Sequence, residues 1–277
     1  MVRLLQIEFQ KLWLNRTSKL LLLISFIFPL SILILSSIKI NFFGYFTLDL
    51  SETKIFEFPY IWHITTFFIA FFKFFFAIVV VSMIGNEYSN RTLKQNLIDG
   101  LSKKEVILSK FYFILAYSVV VTFVVFLITL TIGVLNTPSQ DLYIDTVFSG
   151  TEFILAYFVK LLTFFSLCLF VGVLIKRSAF SLGFLFISFI LELILYGLFR
   201  FKWYNYDISN EIMQFFPFTA MWNLIDEPAS RIVALHNPTD VTLITDYPAY
   251  WYEFVIAGAW IFIYIFLSYR LLKSRDL

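Results

Sequence analysis

The sequence has few candidates for catalytic side chains. They are His63, Cys168, Glu192 and His236. The HExxH helix of a metalloprotease and the GxxxxGK[ST] loop of a nucleotide-binding protein are both absent. An intramembrane peptidase that uses paired glutamates would need a second acid beside Glu192, and its apolar run contains none. We interpret both histidines as surface or interface residues and Cys168 as a packing residue. The sequence therefore predicts no catalytic site, no metal site and no cofactor in this chain.

Three charged residues lie inside long apolar runs, where an unpaired charge is expensive: Lys73, Lys160 and Glu192. Lys160 and Glu192 each lie seven residues from the end of a run, which is about 10 Å along a helix at ~1.5 Å per residue. Because a very short turn joins the two runs, we predict that Lys160 pairs with Glu192 and fixes the helix register. A contact with a substrate is the less favoured interpretation. Lys73 has no evident partner, and it either faces the interior of an assembly or extends towards the membrane surface.

A polar stretch, residues 86–110, separates two of the apolar runs and holds five basic and three acidic residues. Leu93, Leu97 and Ile98 form one apolar stripe at helical spacing, and Gly100 tolerates the left-handed backbone that ends a helix. Ser102, with Glu105 three residues later, is typical of a capping box that opens the next helix. The stretch therefore predicts a short amphipathic helix at the membrane surface, followed by a capped helix.

The composition indicates a polytopic membrane protein. The 277 residues are 60% hydrophobic and 14% charged, with a mean hydropathy of +0.84. The apolar runs are continuous, without the alternation of barrel strands, and reach the roughly 20 residues that a membrane helix needs. We predict one all-α transmembrane domain over residues 1–277, and the net charge of +2 gives no reason to expect nucleic acid. The six predicted spans are 20–38, 60–84, 111–135, 153–175, 179–199 and 250–272.

The segments outside the spans complete the predicted architecture. Residues 1–18 are predicted to form an interfacial helix, with Glu8 and Lys11 on the side opposite its apolar face. Residues 200–249 are predicted to be external, and 211–225 to form a re-entrant or interfacial helical hairpin. An ordinary external loop that packs on the bundle is the alternative.

The distribution of basic residues predicts the orientation. If both termini are cytoplasmic, fourteen Lys and Arg lie in cytoplasmic segments and five in external ones, which agrees with the positive-inside rule. An autonomous transporter is not indicated, because the halves of the chain are not similar and the spans contain few breaks. Pro29 is the only proline well inside a span.

This combination of features resembles the ATP-binding-cassette type-2 (ABC-2) permeases, the membrane subunits of export-type transporters. The resemblance covers nearly the whole chain, and residues 86–110 are its most specific part. There the chain follows the family pattern of a Glu, then Gly-Thr-Leu, then Pro-x-Ser-Arg, then Gly-Lys, with departures. The residues that match are Glu87, Thr92, Leu93, Ser102 and Lys110. Arg91 replaces the usual Gly, Leu101 the usual Pro, and Lys103 the usual Arg.

The resemblance implies a permease that works as a dimer, with two ATPase subunits that bind ATP and Mg²⁺. It also implies a bacterial inner membrane, a path lined by the first, second and fifth spans, and a drug, antimicrobial peptide or lipid as substrate. A non-transporting scaffold that binds a soluble partner through residues 86–110 is the alternative. The residues expected to couple the permease to the ATPase are Glu87, Arg91, Thr92, Leu93, Lys94 and Leu97.

Overall fold

In a computed structural model, the described residues are 2–14, 16–36, 40–42, 46–48, 54–203, 206–236 and 247–275. The chain opens with two helices whose axes differ in direction by 90°. A small antiparallel ribbon follows, in which Ile40 lies opposite Leu48. The elements of this part are α1 (Val2–Leu14), α2 (Arg16–Ser36), β1 (Ile40–Phe42), β2 (Phe46–Leu48) and a 3-10 turn (Lys54–Phe56).

The remaining described elements are helical. A 3-10 turn at Ser139–Asp141 precedes α7, and a π-helical turn at Phe199–Trp203 follows α9. The helices are α3 (Tyr60–Ala70), α4 (Lys73–Ser89), α5 (Thr92–Ile98), α6 (Lys103–Asn136), α7 (Ile144–Phe148), α8 (Glu152–Ile175), α9 (Ser178–Leu198), α10 (Tyr206–Met213), α11 (Pro217–Asn223), α12 (Ala229–His236) and α13 (Trp251–Lys273).

The helices are long and apolar enough for a multi-pass membrane protein. Four of them, those that include α6, α8, α9 and α13, could each cross a bilayer. Two bent pairs, α1 with α2 and α3 with α4, raise the number of possible spans to six. The predicted class, a helical polytopic membrane protein, is therefore confirmed at the level of four to six spans.

The second predicted span, residues 60–84, is not one continuous helix. It bends by 48° between α3 and α4, although neither proline nor glycine lies at the break. At the bend the Phe71 amide donates a hydrogen bond to the carbonyl of Phe68 at 3.2 Å, and the Phe72 amide donates one to the carbonyl of Ile69 at 3.0 Å. These are 3-10 hydrogen bonds, which tighten the helix and change its direction. We expected the spans to be mostly unbroken, and this one is an exception.

Helix α8 is the centre of the bundle, and it packs against α3, α4, α6, α9 and α13. Close packing at one end depends on two glycines. A Cβ on Gly172 would lie 3.0 Å from the Ile84 side chain, and a Cβ on Gly85 would lie 2.9 Å from the backbone nitrogen of Ser178. Helix α4 therefore approaches the start of α9 more closely than a larger residue at position 85 would allow.

The start of α6 has the predicted capping box. The Ser102 hydroxyl accepts a bond from the Glu105 amide at 3.2 Å, and the Glu105 carboxylate accepts one from the Ser102 amide at 2.8 Å. Gly100, with φ of +97°, takes the left-handed conformation that ends α5. Helix α6 has 34 residues, so at ~1.5 Å per residue it is about 51 Å long, well beyond the ~30 Å hydrocarbon core.

Candidate functional site

Helix α5 presents a basic surface at one end of the bundle, which we call the α5 end. Leu93 is buried and Leu97 half-buried against the bundle, while Arg91 and Lys94 are exposed. Ile98, expected in the apolar stripe, is 69% exposed. Helix α5 has only seven residues, so one i, i+4 row reaches the bundle, and Ile98 lies about 100° from Leu97 around the axis.

The first residue before α5 has an unusual backbone. Arg91 takes a left-handed conformation with φ of +56°, and its carbonyl accepts the first bond of the helix, from the Gln95 amide at 3.1 Å. This conformation is unfavourable for any residue with a Cβ. It turns the chain sharply between α4 and α5 and leaves the guanidinium at the surface.

Behind α5 lies a buried ion cluster, formed by Glu8 and Lys11 of α1, Glu87 of α4 and Lys110 of α6. The Lys110 ammonium contacts both carboxylates, and the Lys11 ammonium lies 2.8 Å from that of Glu87. Ser109 donates a further bond to Glu8 at 3.2 Å. Glu8, Glu87 and Lys110 are each at most 4% exposed. Because two acids meet two bases, the cluster is neutral and connects three helices.

The ion cluster shows that the polar face of the N-terminal helix α1 is buried. The sequence pattern placed Glu8 and Lys11 on the face opposite the apolar one, towards solvent, and this is wrong for Glu8, which is 1% exposed. The reason is that α6 supplies Lys110 and Ser109 as partners. The apolar residues Trp13 and Leu14, which are 68% and 83% exposed, lie on the outside.

The residues expected to couple the permease to an ATPase thus fall into three groups. Arg91 and Lys94 are exposed and available to a partner. Thr92 and Leu97 are half-buried, and Leu93 is buried where α5 meets the bundle. Glu87 is buried in the ion cluster, and its Oε2 atom has no hydrogen-bond partner within the described structure. Glu87 is therefore placed to hold α4 in position against α1 and α6.

At the opposite end of the bundle, which we call the α11 end, Glu192 of α9 binds the start of α11. Its carboxylate accepts bonds from the amides of Phe218 at 3.1 Å and Thr219 at 2.6 Å, and from the Thr219 hydroxyl at 2.9 Å. These amides belong to the first turn of α11, where backbone donors have no partner in the helix. Glu192 therefore caps α11 from a neighbouring helix.

The predicted pair of Lys160 and Glu192 is not formed. The Lys160 ammonium donates instead to the carbonyl of Trp222 at 3.4 Å, in the last turn of α11. The depth of each residue along its helix was estimated from the sequence, but the direction around the helix axis was not. Both charged side chains therefore bind α11, Glu192 at its start and Lys160 at its end.

Lys73, the first residue of α4, lies at the bend after α3. Its ammonium is 5.1 Å from the centre of the Phe164 ring and 6.0 Å from that of Phe74, in cation–π geometry. In the part of the chain that the structure describes, it forms neither a hydrogen bond nor an ion pair. Lys73 is only 8% exposed, so its side chain is buried within the chain itself.

His63 is completely buried, so our interpretation of it as a surface or interface residue is wrong. Its ring stacks on Phe153 at 4.3 Å. Arg231 donates to Nδ1 at 3.0 Å, which leaves Nε2 to donate to the carbonyl of Asp226 at 2.9 Å. Through this bond to the Asp226 backbone, His63 fixes the chain between α11 and α12. The side-chain carboxyl of Asp226 has a pKa above its ordinary value because it is buried, although the nearby Lys160 opposes the shift.

Among the described residues, no group of three or more His, Cys, Asp or Glu side chains is arranged to hold a metal ion. In the comparisons with known proteins, the family model described as "ABC-2 family transporter protein" matches residues 4–192. No curated protein matches the chain significantly.

Proposed function

Since the chain belongs to the ABC-2 family of transporter proteins, we propose that it is the membrane-spanning permease subunit of an ATP-driven exporter. Permeases of this family work with ABC ATPase subunits, typically as dimers. The chain would use two copies of a separate ATPase, which bind the ATP and Mg²⁺. The observation that carries the proposal is the α5 surface, where Arg91 and Lys94 are exposed on a short helix fixed against the bundle.

The arrangement suits the transmission of force. A partner that presses on α5 acts on α4 through the short turn at Arg91, and on α6 through the turn at Gly100. The buried ion cluster joins the ends of α4 and α6 to α1. A displacement of α5 would therefore move three helices together.

We place the α5 end in the cytoplasm, with six spans and both termini on that side. The basic segments counted as cytoplasmic meet at this end. The Lys103 ammonium donates to the carbonyl of Arg275 at 2.8 Å, and the Arg275 guanidinium donates to that of Val173 at 2.6 Å. The Lys176 ammonium lies 5.8 Å from the Tyr88 ring centre. These contacts support one basic face, as the positive-inside rule requires.

A second permease subunit would pack on the α9 side, as a homodimer in the simplest case. Helix α9 buries only three of its 21 residues, Ser181, Leu185 and Glu192. Its other faces expose a long apolar surface. The family resemblance, not this surface, is the basis for proposing a drug, an antimicrobial peptide or a lipid as the substrate and the bacterial inner membrane as the location.

The test is to purify the tagged chain from its native membrane in a mild detergent and identify the co-purifying proteins by mass. We expect a stoichiometric protein with Walker ATPase motifs. The double variant Arg91→Glu/Lys94→Glu should reduce its recovery at least about tenfold by charge repulsion or loss of contact, a change of ~1.4 kcal/mol in binding. The double variant Arg200→Glu/Lys202→Glu, an equal charge change at two exposed sites of the α11 end, is the control.

Recovery of the chain without any ATPase, or equal recovery with all variants, would contradict the proposal. Function that persists when the ATPase is catalytically inactive would favour the scaffold alternative.

A further inference from the structure

A groove of about 180 Å³ lies between α6 and α13 near the α5 end. Helix α6 contributes Lys104, Ile107 and Leu108, and α13 contributes Phe262, Phe266 and Tyr269. Each set follows helical spacing, so each forms one face of its helix. Apart from Lys104 at one end and the Tyr269 hydroxyl, these side chains are apolar.

The position of the groove is fixed by a contact at the helix ends. The Lys103 ammonium donates to the carbonyls of Lys273 at 3.3 Å and Arg275 at 2.8 Å. The start of α6 therefore lies beside the end of α13, and the two helices run in opposite directions. The groove begins within one turn of this contact, at Lys104, and continues towards the middle of the bundle at Phe262.

The groove opens to the outside of the bundle. Phe262 and Phe266 are 71% and 50% exposed, and their rings stack with centres 6.4 Å apart. In a membrane this face meets the hydrocarbon region, so the molecules that reach it there have apolar chains.

The mouth of the groove is positively charged. Lys104 is exposed and forms no ion pair with any described residue. Lys273, also exposed, lies one turn beyond Tyr269 on the same face of α13. Glu105, next to Lys104, already accepts bonds from the Ser102 amide and hydroxyl. Two cations therefore flank one end of an apolar channel.

We propose that this groove binds one anionic phospholipid of the leaflet at the α5 end. One acyl chain lies along Leu108 and Phe266, and the phosphate lies between Lys104 and Lys273, with the Tyr269 hydroxyl at headgroup depth. The apolar lining selects a chain, and the two cations select an anionic headgroup. The inference rests on the proposed function only for its assignment of this leaflet to the cytoplasmic side, where anionic lipids attract basic residues.

The test measures bound lipid directly and does not involve transport or an ATPase, so it can fail independently of the proposed function. The purified chain is titrated with phosphatidylglycerol or phosphatidylcholine of the same acyl chains, and bound lipid is counted by native mass spectrometry. We expect one phosphatidylglycerol to be retained in preference to phosphatidylcholine. Lys104→Gln should weaken its retention about fivefold, since a basic residue near an anionic headgroup contributes ~1 kcal/mol.

Two further variants make the result specific. Leu108→Trp fills the groove and should abolish the retained lipid, whereas Lys94→Gln removes the same charge from the exposed face of α5 and should leave it unchanged. Because Lys104 is exposed, Lys104→Gln is expected to fold even if Leu108→Trp does not. Equal retention of both lipids, an equal effect of Lys104→Gln and Lys94→Gln, or displacement of the lipid by inorganic phosphate alone would overturn the proposal.

Discussion

Glu192 and Lys160 contact opposite ends of the same seven-residue helix, α11, and not each other. Glu192 accepts bonds from amides in the first turn, and Lys160 donates to a carbonyl in the last. A negative group at the start of a helix and a positive group at its end both match the helix dipole. Two buried charges thus stabilise one short helix at the α11 end instead of forming a pair.

Replacing Glu192 with Gln should destabilise the protein. Gln keeps one acceptor oxygen but loses the charge that strengthens the bonds to Phe218 and Thr219, a loss of about 1–2 kcal/mol. We expect the melting temperature in detergent to fall by several degrees, at about 2–4 °C per kcal/mol. Glu211→Gln, on the exposed side of α10, is the control and should leave the melting temperature unchanged. Equal melting temperatures for the two variants would argue against the cap.

Replacing Lys160 with Met should cost little. If Lys160 neutralised Glu192, its loss would leave a buried carboxylate unpaired, at a cost of about 3–5 kcal/mol. In the observed arrangement α11 satisfies Glu192, and we expect a change below about 1 kcal/mol, similar to that of the buried neighbour variant Leu161→Met. A collapse of stability in Lys160→Met alone would show that the two charges depend on each other.

Removing a charge from the ion cluster at the α5 end should, by contrast, destabilise the protein strongly. Lys110→Met leaves Glu8 and Glu87 with only Lys11, and we expect a loss of about 3–5 kcal/mol, seen as little folded protein on size-exclusion chromatography. Adding Glu87→Gln to this variant removes the excess negative charge and should restore part of the yield. Lys94→Met, at an exposed site, should give the same folded yield as the unmodified protein. A yield from Lys110→Met that matches the Lys94→Met yield would contradict the structural role of the cluster.

Arg91→Gly should stabilise the chain. The left-handed conformation at Arg91 costs a residue with a Cβ about 1–2 kcal/mol, and Gly avoids most of this. Arg91→Ala keeps the Cβ and should give no such gain, so the difference between the two melting temperatures isolates the backbone effect. If both variants shift the melting temperature equally, the side chain and not the backbone conformation decides stability at this position.

Gly85→Ala should weaken the contact of α4 with the start of α9. The added methyl would lie 2.9 Å from the Ser178 nitrogen and 3.0 Å from its Cβ, and such overpacking typically costs about 1–3 kcal/mol. Gly183→Ala provides the control, since a Cβ there has no atom within 4 Å. Its better helix propensity should make it neutral or more stable by up to ~1 kcal/mol. Thermal stability that falls equally in both variants would contradict a specific contact at Gly85.

Local features were predictable from the sequence because their causes are local. The capping box at Ser102 and the helix end at Gly100 need only residues a few positions apart, and both are confirmed. The position at which ABC-2 permeases usually carry Gly is Arg91, and its left-handed backbone gives that preference a physical reason. Apolar runs likewise predict membrane helices without knowledge of their neighbours.

The partners of buried charges were not predictable, since they depend on how the helices are rotated and which segment lies between them. Glu192 and Lys160 have the right depth to meet, but α11 occupies the space between them. Pro217 was a signal of this arrangement, because proline is typical of the first turn of a helix. The amides of that turn have no partner within the helix and need an acceptor from elsewhere. The bend at Phe71 and Phe72 had no signal in proline or glycine.

The buried polar face of α1 also has a consequence for synthesis. Glu8 is made 102 residues before Lys110, so at about 5–20 residues per second the ribosome reaches its partner roughly 5–20 s later. Until α6 has been inserted, α1 keeps its carboxylate in contact with water at the membrane surface. The N-terminal helix can thus take its final place only after α6 has been made and inserted.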